Sequence, residues 1–270
     1  MIDLHHHLLP GVDDGPRTWN ETLSMARKAL EDGISTVVCT PHWIRGLYPK
    51  NTRPFILSAV GKLQQKLDDL RVPLQVLPGC ELQLDMSVVE GLESGRLLTL
   101  NDTGRYAMIE LPHDLLPRNL ERFFEVLQAR GIVPVVSHPE RHWMVIKDPQ
   151  RLQGWVEMDV LVQITAGSLA GAFGKTVQKT ALKLLKHRLV HVLATDAHDA
   201  VKRPPNLSQG YRLAEEALGA EGARSLVEDH PRKIIKGEEV AVPTPIPLKT
   251  GGYKIFSLKR WLRASAMGSH

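Results

Sequence analysis

Residues 1–16 read MIDLHHHLLPGVDDGP: an apolar, β-rich run that ends in histidines, then a Pro-Gly turn and two aspartates. Side chains two apart on a strand share a face, so His5 and His7 project together and His6 projects the opposite way, away from any site the pair builds. The three histidines lie inside an apolar run, unlike a purification tag. Apolar, β-rich runs recur along the chain, and five of the six that follow also close on histidines or carboxylates. ISTVVCTPH (34–42), LQVLPGCEL (74–82), YAMIELPH (106–113), IVPVVSHPE (132–140), MDVLVQITA (158–166) and VHVLATDAH (190–198) are six further strand candidates.

The segments between most of these runs read as helices. TWNETLSMARKALEDG has a capping box, Thr18 with Glu21, and Gly33 at its end; its apolar stripe reads as Trp19, Leu23, Ala26 and Leu30. Residues 54–70, 117–130, 172–187 and 207–228 carry the same periodicity, and a shorter helical link falls at 86–96. Seven strands alternating with helices predict an α/β fold around a parallel sheet, closed as a barrel or left open.

The 270 residues suit one large α/β domain or two small ones. The 43% apolar and 24% charged residues are ordinary for a soluble globular protein. No stretch reaches the ~18–20 apolar residues of a membrane helix, and the N-terminus lacks a signal pattern. Cys39 and Cys80 sit in apolar runs as free thiols would, so a cytoplasmic setting is expected. The sequence pI of about 9.1 belongs to one end. Five basic residues and no acid follow Glu239, and the 34 basic residues less these five leave 29 against 30 acidic. A near-neutral body argues against nucleic acid as a partner. The expected organisation is a catalytic domain over 1–242 and an extension over 243–270, Pro-rich and then basic, whose final MGSH resembles a cloning remnant. The basic tail is suited to weak contact with an anionic membrane or a phosphopeptide.

The polar residues at the run ends carry the chemistry. His5, His7, His42, Glu81, Glu110, His138, Asp196 and His198 close six of the runs, and Asp14 follows the first. A lone histidine at a strand end is usually a surface or hydrogen-bonded residue, but nine imidazole and carboxylate groups on one rim suit a multinuclear divalent-metal site. Glu110 stands within an apolar run, where an ionised carboxylate is costly unless paired or metal-bound.

The motifs DLHHHLLPGVDDG, TPH, GCELQLD, ELP, SHPER and ATDAHDAVKRPP together resemble the polymerase-and-histidinol-phosphatase (PHP) superfamily. More narrowly they resemble its manganese-dependent bacterial protein tyrosine phosphatases of capsule and exopolysaccharide synthesis, over residues 1 to about 240. The resemblance implies a distorted seven-stranded (β/α)7 barrel, TIM-barrel-like, with two or three metals per chain. Manganese is the expected ion, while the donor set also suits iron, cobalt or zinc. By resemblance, one metal takes His5, His7, Glu81 and Asp196. Glu81 bridges to a second, held also by Glu110 and His138, and a third takes Asp14, His42 and His198. His6 departs from the small residue or cysteine expected there in the family. Arg141 and Arg203 are implied to bind substrate phosphate, and His113 is a weak candidate for a general acid.

The implied reaction is hydrolysis of phosphotyrosine monoesters by metal-activated hydroxide. The implied partner is a phosphotyrosine-bearing protein, a membrane-associated bacterial tyrosine kinase. A histidinol-phosphate-type phosphatase, a PHP exonuclease and a metal-dependent scaffold are the alternatives. Cys39 and Arg45 have the spacing of a cysteine-dependent phosphatase loop. Pro41 removes a backbone donor there and no glycine intervenes, which argues against that chemistry.

Overall fold

The computed structural model describes residues 1–112, 116–117 and 119–248. His113 and the basic part of the tail lie outside the described residues. The strands are β1 (Ile2–His6), β2 (Thr36–Cys39), β3 (His42–Trp43), β4 (Gln75–Pro78), β5 (Glu81–Gln83), β6 (Tyr106–Glu110), β7 (Val133–Ser137), β8 (Leu161–Thr165) and β9 (Val192–Ala194). All pairings are parallel, in a three-stranded sheet β1-β2-β4 and a six-stranded sheet β3-β5-β6-β7-β8-β9. The fold is α/β, as expected, but the ladders do not form one closed ring of seven strands.

Two of the seven apolar runs are cut in half. Cys39 pairs with Pro78 and His42 with Glu81, and between these registers Thr40–Pro41 and Gly79–Cys80 drop out of the ladder together. Pro41 has no N–H to donate. Its carbonyl instead accepts from Glu81 N at 3.1 Å. A Cβ on Gly79 would sit 2.6 Å from Val38 Cγ1, so the close approach there requires glycine. The two sheets are stitched beyond β9 by one isolated bridge, His6 to Ala197.

The helices are α1 (Trp19–Glu31), α2 (Arg53–Asp69), α3 (Met86–Glu93), α4 (Leu120–Gln128), α5 (Trp143–Lys147), α6 (Gln150–Glu157), α7 (Ala166–Leu169), α8 (Lys175–Lys186), α9 (Leu207–Arg224) and α10 (His230–Lys236). The Thr18–Glu21 capping box forms as read. The buried stripe of α1 is rotated from the expected one: Thr22, Met25, Ala26 and Ala29 are buried, while Trp19 is 40% exposed. Thr22 tolerates burial because its hydroxyl donates to Leu8 O at 3.1 Å. The helix expected over 207–228 is interrupted at Gly219, with φ 79°, and passes through a π-helical turn into α10. The Pro-rich segment packs at its far end, where Leu248 is buried and its N–H donates to Gln153 Oε1 at 3.1 Å. Among the described residues no helix is long and apolar enough to cross a membrane.

The strands separate two apolar clusters. Val37, Ala107, Ile109, Val136, Val162 and Leu193 join the larger cluster with the helices. Ile2, Leu4, Val38, Met108, Val135, Leu161 and Val192 form a smaller one, to which Ile234 of α10 contributes. Strict alternation from Ile2 and Leu4 would aim His6, rather than His5 and His7, to the side of that smaller cluster. A register shift between Asp3 and His6 inserts an extra residue into β1 and breaks the alternation. The Asp3 carboxylate ties the bulge by accepting from His5 N at 3.3 Å and Thr195 N at 3.0 Å.

Candidate metal centre

The bulge brings His5 and His7 to the same place as the polar ends of the other strands. Their Nε2 atoms are 3.2 Å apart. Glu81, the first residue of β5, stands between four imidazoles. Its Oε2 lies 3.2 Å from His5 Nε2, 3.6 Å from His7 Nε2 and 3.0 Å from His42 Nδ1, and its Oε1 lies 2.9 Å from His138 Nε2. Glu110 closes β6, with Oε2 at 3.6 Å from His42 Nδ1. Asp196 Oδ1 is 3.4 Å from both His5 and His7 and 3.5 Å from His198 Nδ1. Asp14 Oδ1 reaches His198 Nε2 at 3.3 Å and His42 Nε2 at 3.5 Å. His138 and Asp196 both adopt the left-handed backbone, with φ 33° and 53°. That conformation is uncommon for residues with a Cβ and recurs at functional sites.

All nine expected residues therefore converge. Their donor atoms fall into four overlapping groups, within each of which they lie inside 4.8 Å of one another. The groups are His7, Asp14, His42 and His198; His5, His7 and Glu81; His5, His138 and Asp196; and His42, Glu81 and Glu110. The membership overlaps the three expected sets without reproducing them: His42 joins Glu81 and Glu110, and His7 joins Asp14.

The hydrogen bonds around the cluster test whether it suits a cation. His5 Nδ1 meets Gln163 Oε1 at 2.9 Å, and His7 Nδ1 meets the Asp13 carboxylate at 2.7 Å. Both outer partners are acceptors, so both Nδ1 atoms carry a proton and both Nε2 atoms face inward, where they can ligate a metal. Two inward-facing nitrogens 3.2 Å apart in a fully buried site need a cation between them, a metal ion or a proton. The donor set, imidazole nitrogen and carboxylate oxygen, suits a divalent transition metal.

The charges support one another. Burial alone would raise Glu81, but His5, His42 and His138 hold its carboxyl well below the ordinary range. Asp196 is likewise lowered against its burial, by His5 and Arg141. Burial works to lower His5 and His42, yet Glu81 raises both above the ordinary imidazole value. His198 is lowered, by burial and by His7.

Asp13 and Gln163 escaped the sequence reading. Asp13 accepts from His7 Nδ1, from His42 N at 3.0 Å and from Gly15 N at 3.0 Å, so one carboxylate orients two of the nine. Gln163 carried a signal of the kind that marked Glu110, a polar side chain inside an apolar run. His6 faces away from the cluster, as expected, but not into a forgiving environment. It is fully buried, neither ring nitrogen has a hydrogen-bond partner, and burial pushes its pKa down to about 3.

Arg141 Nη1 and Arg203 Nη2 both donate to Asp196 Oδ2, each at 2.6 Å. The two arginines line a cavity of about 510 Å³ with Glu110, His138, Tyr48 and Trp143. Cys39 is buried in β2, and burial pushes its thiol well above the ordinary range. Arg45 is largely exposed, 3.9 Å from Asp85. These two residues do not form a phosphate loop.

Comparison with known proteins bears on the whole of this arrangement. The family model for capsular polysaccharide synthesis proteins, CpsB/CapC, matches residues 1–236. The tyrosine-protein phosphatase YwqE of Bacillus subtilis is 37% identical over 249 residues, covering 92% of this chain and 97% of that protein. The putative tyrosine-protein phosphatase CapC of Staphylococcus aureus is 31% identical over 209 residues, covering 77% and 81% respectively. A solved structure described with YwqE and Streptococcus pneumoniae CpsB as unique metal-dependent tyrosine phosphatases superposes with a TM-score of 0.88 at 37% identity. It covers 93% of this chain and all of that one.

Proposed function

This chain belongs to the CpsB/CapC family of capsular polysaccharide synthesis, and from that premise we propose that it is a metal-dependent protein tyrosine phosphatase. The convergence of nine imidazole and carboxylate donors on one buried cluster carries the reading. Two or three divalent ions, manganese first among them, would be held per chain. By the family resemblance, His5, His7, Glu81 and Asp196 would form one set, Glu81, Glu110 and His138 a second, and Asp14, His42 and His198 a third. Glu81 suits the shared position because its two oxygens face different imidazoles. Divalent ions bound there supply a lowered pKa for water and neutralise phosphoryl charge.

The chain's own groups do the rest. Arg141 and Arg203 bind the phosphoryl oxygens, and Asp196 holds one nitrogen of each guanidinium group beside the cluster. Tyr48 and Trp143 line the cavity together with its charged groups, which suits an aryl phosphate. A phenolate leaves with pKa about 10, so less proton donation is needed than for an alkoxide. The physiological substrate in this reading is a phosphotyrosine-bearing bacterial kinase of capsule or exopolysaccharide synthesis, met in the cytoplasm. Contact of the basic tail with a membrane or phosphopeptide belongs to the same proposal.

The test is hydrolysis of a phosphotyrosine peptide, histidinol phosphate and single-stranded DNA side by side, with manganese and with a chelator. Preference for the peptide, lost on chelation and retained in Cys39→Ser, is expected. Chelator-resistant activity that disappears in Cys39→Ser would refute the proposal. A preference for histidinol phosphate or DNA would reassign the substrate.

A further inference from the structure

Behind Arg141 lies a buried polar network that the metal cluster does not use. Glu140 is fully buried. Its Oε1 accepts from Thr165 N at 3.0 Å, Thr165 Oγ1 at 3.0 Å and Ser168 Oγ at 2.6 Å. The two hydroxyls are themselves 2.6 Å apart. Arg141 Nη2 meets the Thr165 hydroxyl at 2.8 Å, and the Phe173 ring stacks on the guanidinium with its centroid 3.9 Å from Cζ.

Two proton arrangements are consistent at Thr165, and they agree about its bond to Arg141. A guanidinium only donates, so Thr165 Oγ1 accepts from Arg141 and turns its own proton toward Glu140 or Ser168. Either way, Glu140 and Ser168 keep a lone pair of Thr165 aimed at Arg141. Of the five guanidinium N–H groups, one on Nη1 goes to Asp196 and one on Nη2 goes to Thr165. The Nε–H is buried and has no hydrogen-bond partner among the described residues. One N–H therefore remains on each terminal nitrogen for oxygens of a phosphoryl group. A single ion pair to Asp196 would leave the guanidinium plane free to turn. Two bonds from different nitrogens and a stacked ring fix it. Arg203 makes its Asp196 contact through Nη2 and is the more exposed of the two, with a side chain 33% exposed against 19%.

We infer that Thr165 is a positioning residue for phosphate recognition: held by Glu140 and Ser168, its hydroxyl sets the plane in which Arg141 presents its two remaining N–H groups. The inference rests on the reading of Arg141 as a phosphate ligand. Thr165→Val keeps the β-branched shape and the backbone bond to Glu140 but removes the acceptor. In manganese-loaded full-length protein, KM for p-nitrophenyl phosphate and Ki for inorganic phosphate should each rise about ten-fold, with kcat within about two-fold. Thr165→Ser, which restores the hydroxyl, should return both constants to within about two-fold of the parent. Thermal melting of all variants guards against a folding defect, and Arg141→Ala run in parallel separates the two levels. A raised KM in Arg141→Ala beside an unchanged KM in Thr165→Val overturns the positioning role alone. An unchanged KM in Arg141→Ala overturns the phosphate-ligand reading and the positioning role with it. Loss of kcat without a change in KM or Ki in Thr165→Val also overturns the inference, as does failure of Thr165→Ser to rescue.

Discussion

Replacing Asp13 by alanine should weaken metal binding although Asp13 belongs to none of the proposed ligand sets. Its side chain is 1% exposed, and it makes three contacts at once. It orients His7 through Nδ1 at 2.7 Å, receives the backbone N–H of His42 at 3.0 Å and closes the turn at Gly15. A hydrogen bond to a charged group contributes about 1.5–3 kcal/mol, and alanine would leave the buried His7 N–H unpaired. It would also free the imidazole to change tautomer, which turns Nε2 from a ligand into a donor. Loss of such an orienting carboxylate typically lowers metal affinity about 10- to 100-fold, or ~1.4–2.7 kcal/mol. Calorimetric titration of chelator-treated protein with manganese, with bound metal counted by elemental analysis, measures this directly. Asp13→Asn, which keeps an acceptor oxygen, should fall between alanine and the parent. Excess manganese should restore much of the alanine variant's activity. An Asp13→Ala protein that binds manganese as tightly as the parent would show that the His7–Asp13 contact does not set the ligand's orientation.

Two further outcomes follow from the histidines. His5→Ala and His7→Ala should each lower phosphatase activity by orders of magnitude. His6→Ser should leave activity per folded molecule nearly unchanged while lowering stability by about 1–3 kcal/mol, because it removes most of a fully buried side chain; equal activity losses at all three would refute the assignment of faces. His191 lies away from the cluster and is held neutral by burial, which pushes its pKa down to about 3, and its Nδ1 accepts from Val162 N at 3.0 Å. The unfolded chain therefore binds the extra proton between about pH 6.5 and 3. Stability from this group is full above that window and declines as pH falls through it, by up to ~1.4 kcal/mol per pH unit. Urea midpoints at pH 7, 6 and 5 should fall accordingly, less steeply in His191→Asn; an identical slope in the variant would remove His191 as a cause.

The donor types and their places at the ends of apolar runs were legible in the residues, because such runs are local features, although His42 and Glu81 begin the short strands β3 and β5 and end none. Period-two spacing paired His5 with His7, and the cost of burying a carboxylate singled out Glu110. The same local reasoning misplaced the stripe of α1, where Thr22 is buried by virtue of a hydrogen bond to Leu8, a partner 14 residues earlier. It also could not divide the strands. The break at Thr40–Pro41 exists because Gly79 lets two segments, 39 residues apart, leave the ladder at the same level.

The sequence by itself determined which residues have metal-binding chemistry, since side-chain type and spacing are properties of the chain. Tertiary structure decided which of them meet. The bulge between Asp3 and His6 redirects the His5/His7 face. His5 is oriented by Gln163, 158 residues away, and Glu81 meets His138 across 57 residues. Alternation along a strand carries no information about which distant partner lies opposite, or about one extra residue that reverses its sense. Those depend on register between segments, and only the folded chain sets it.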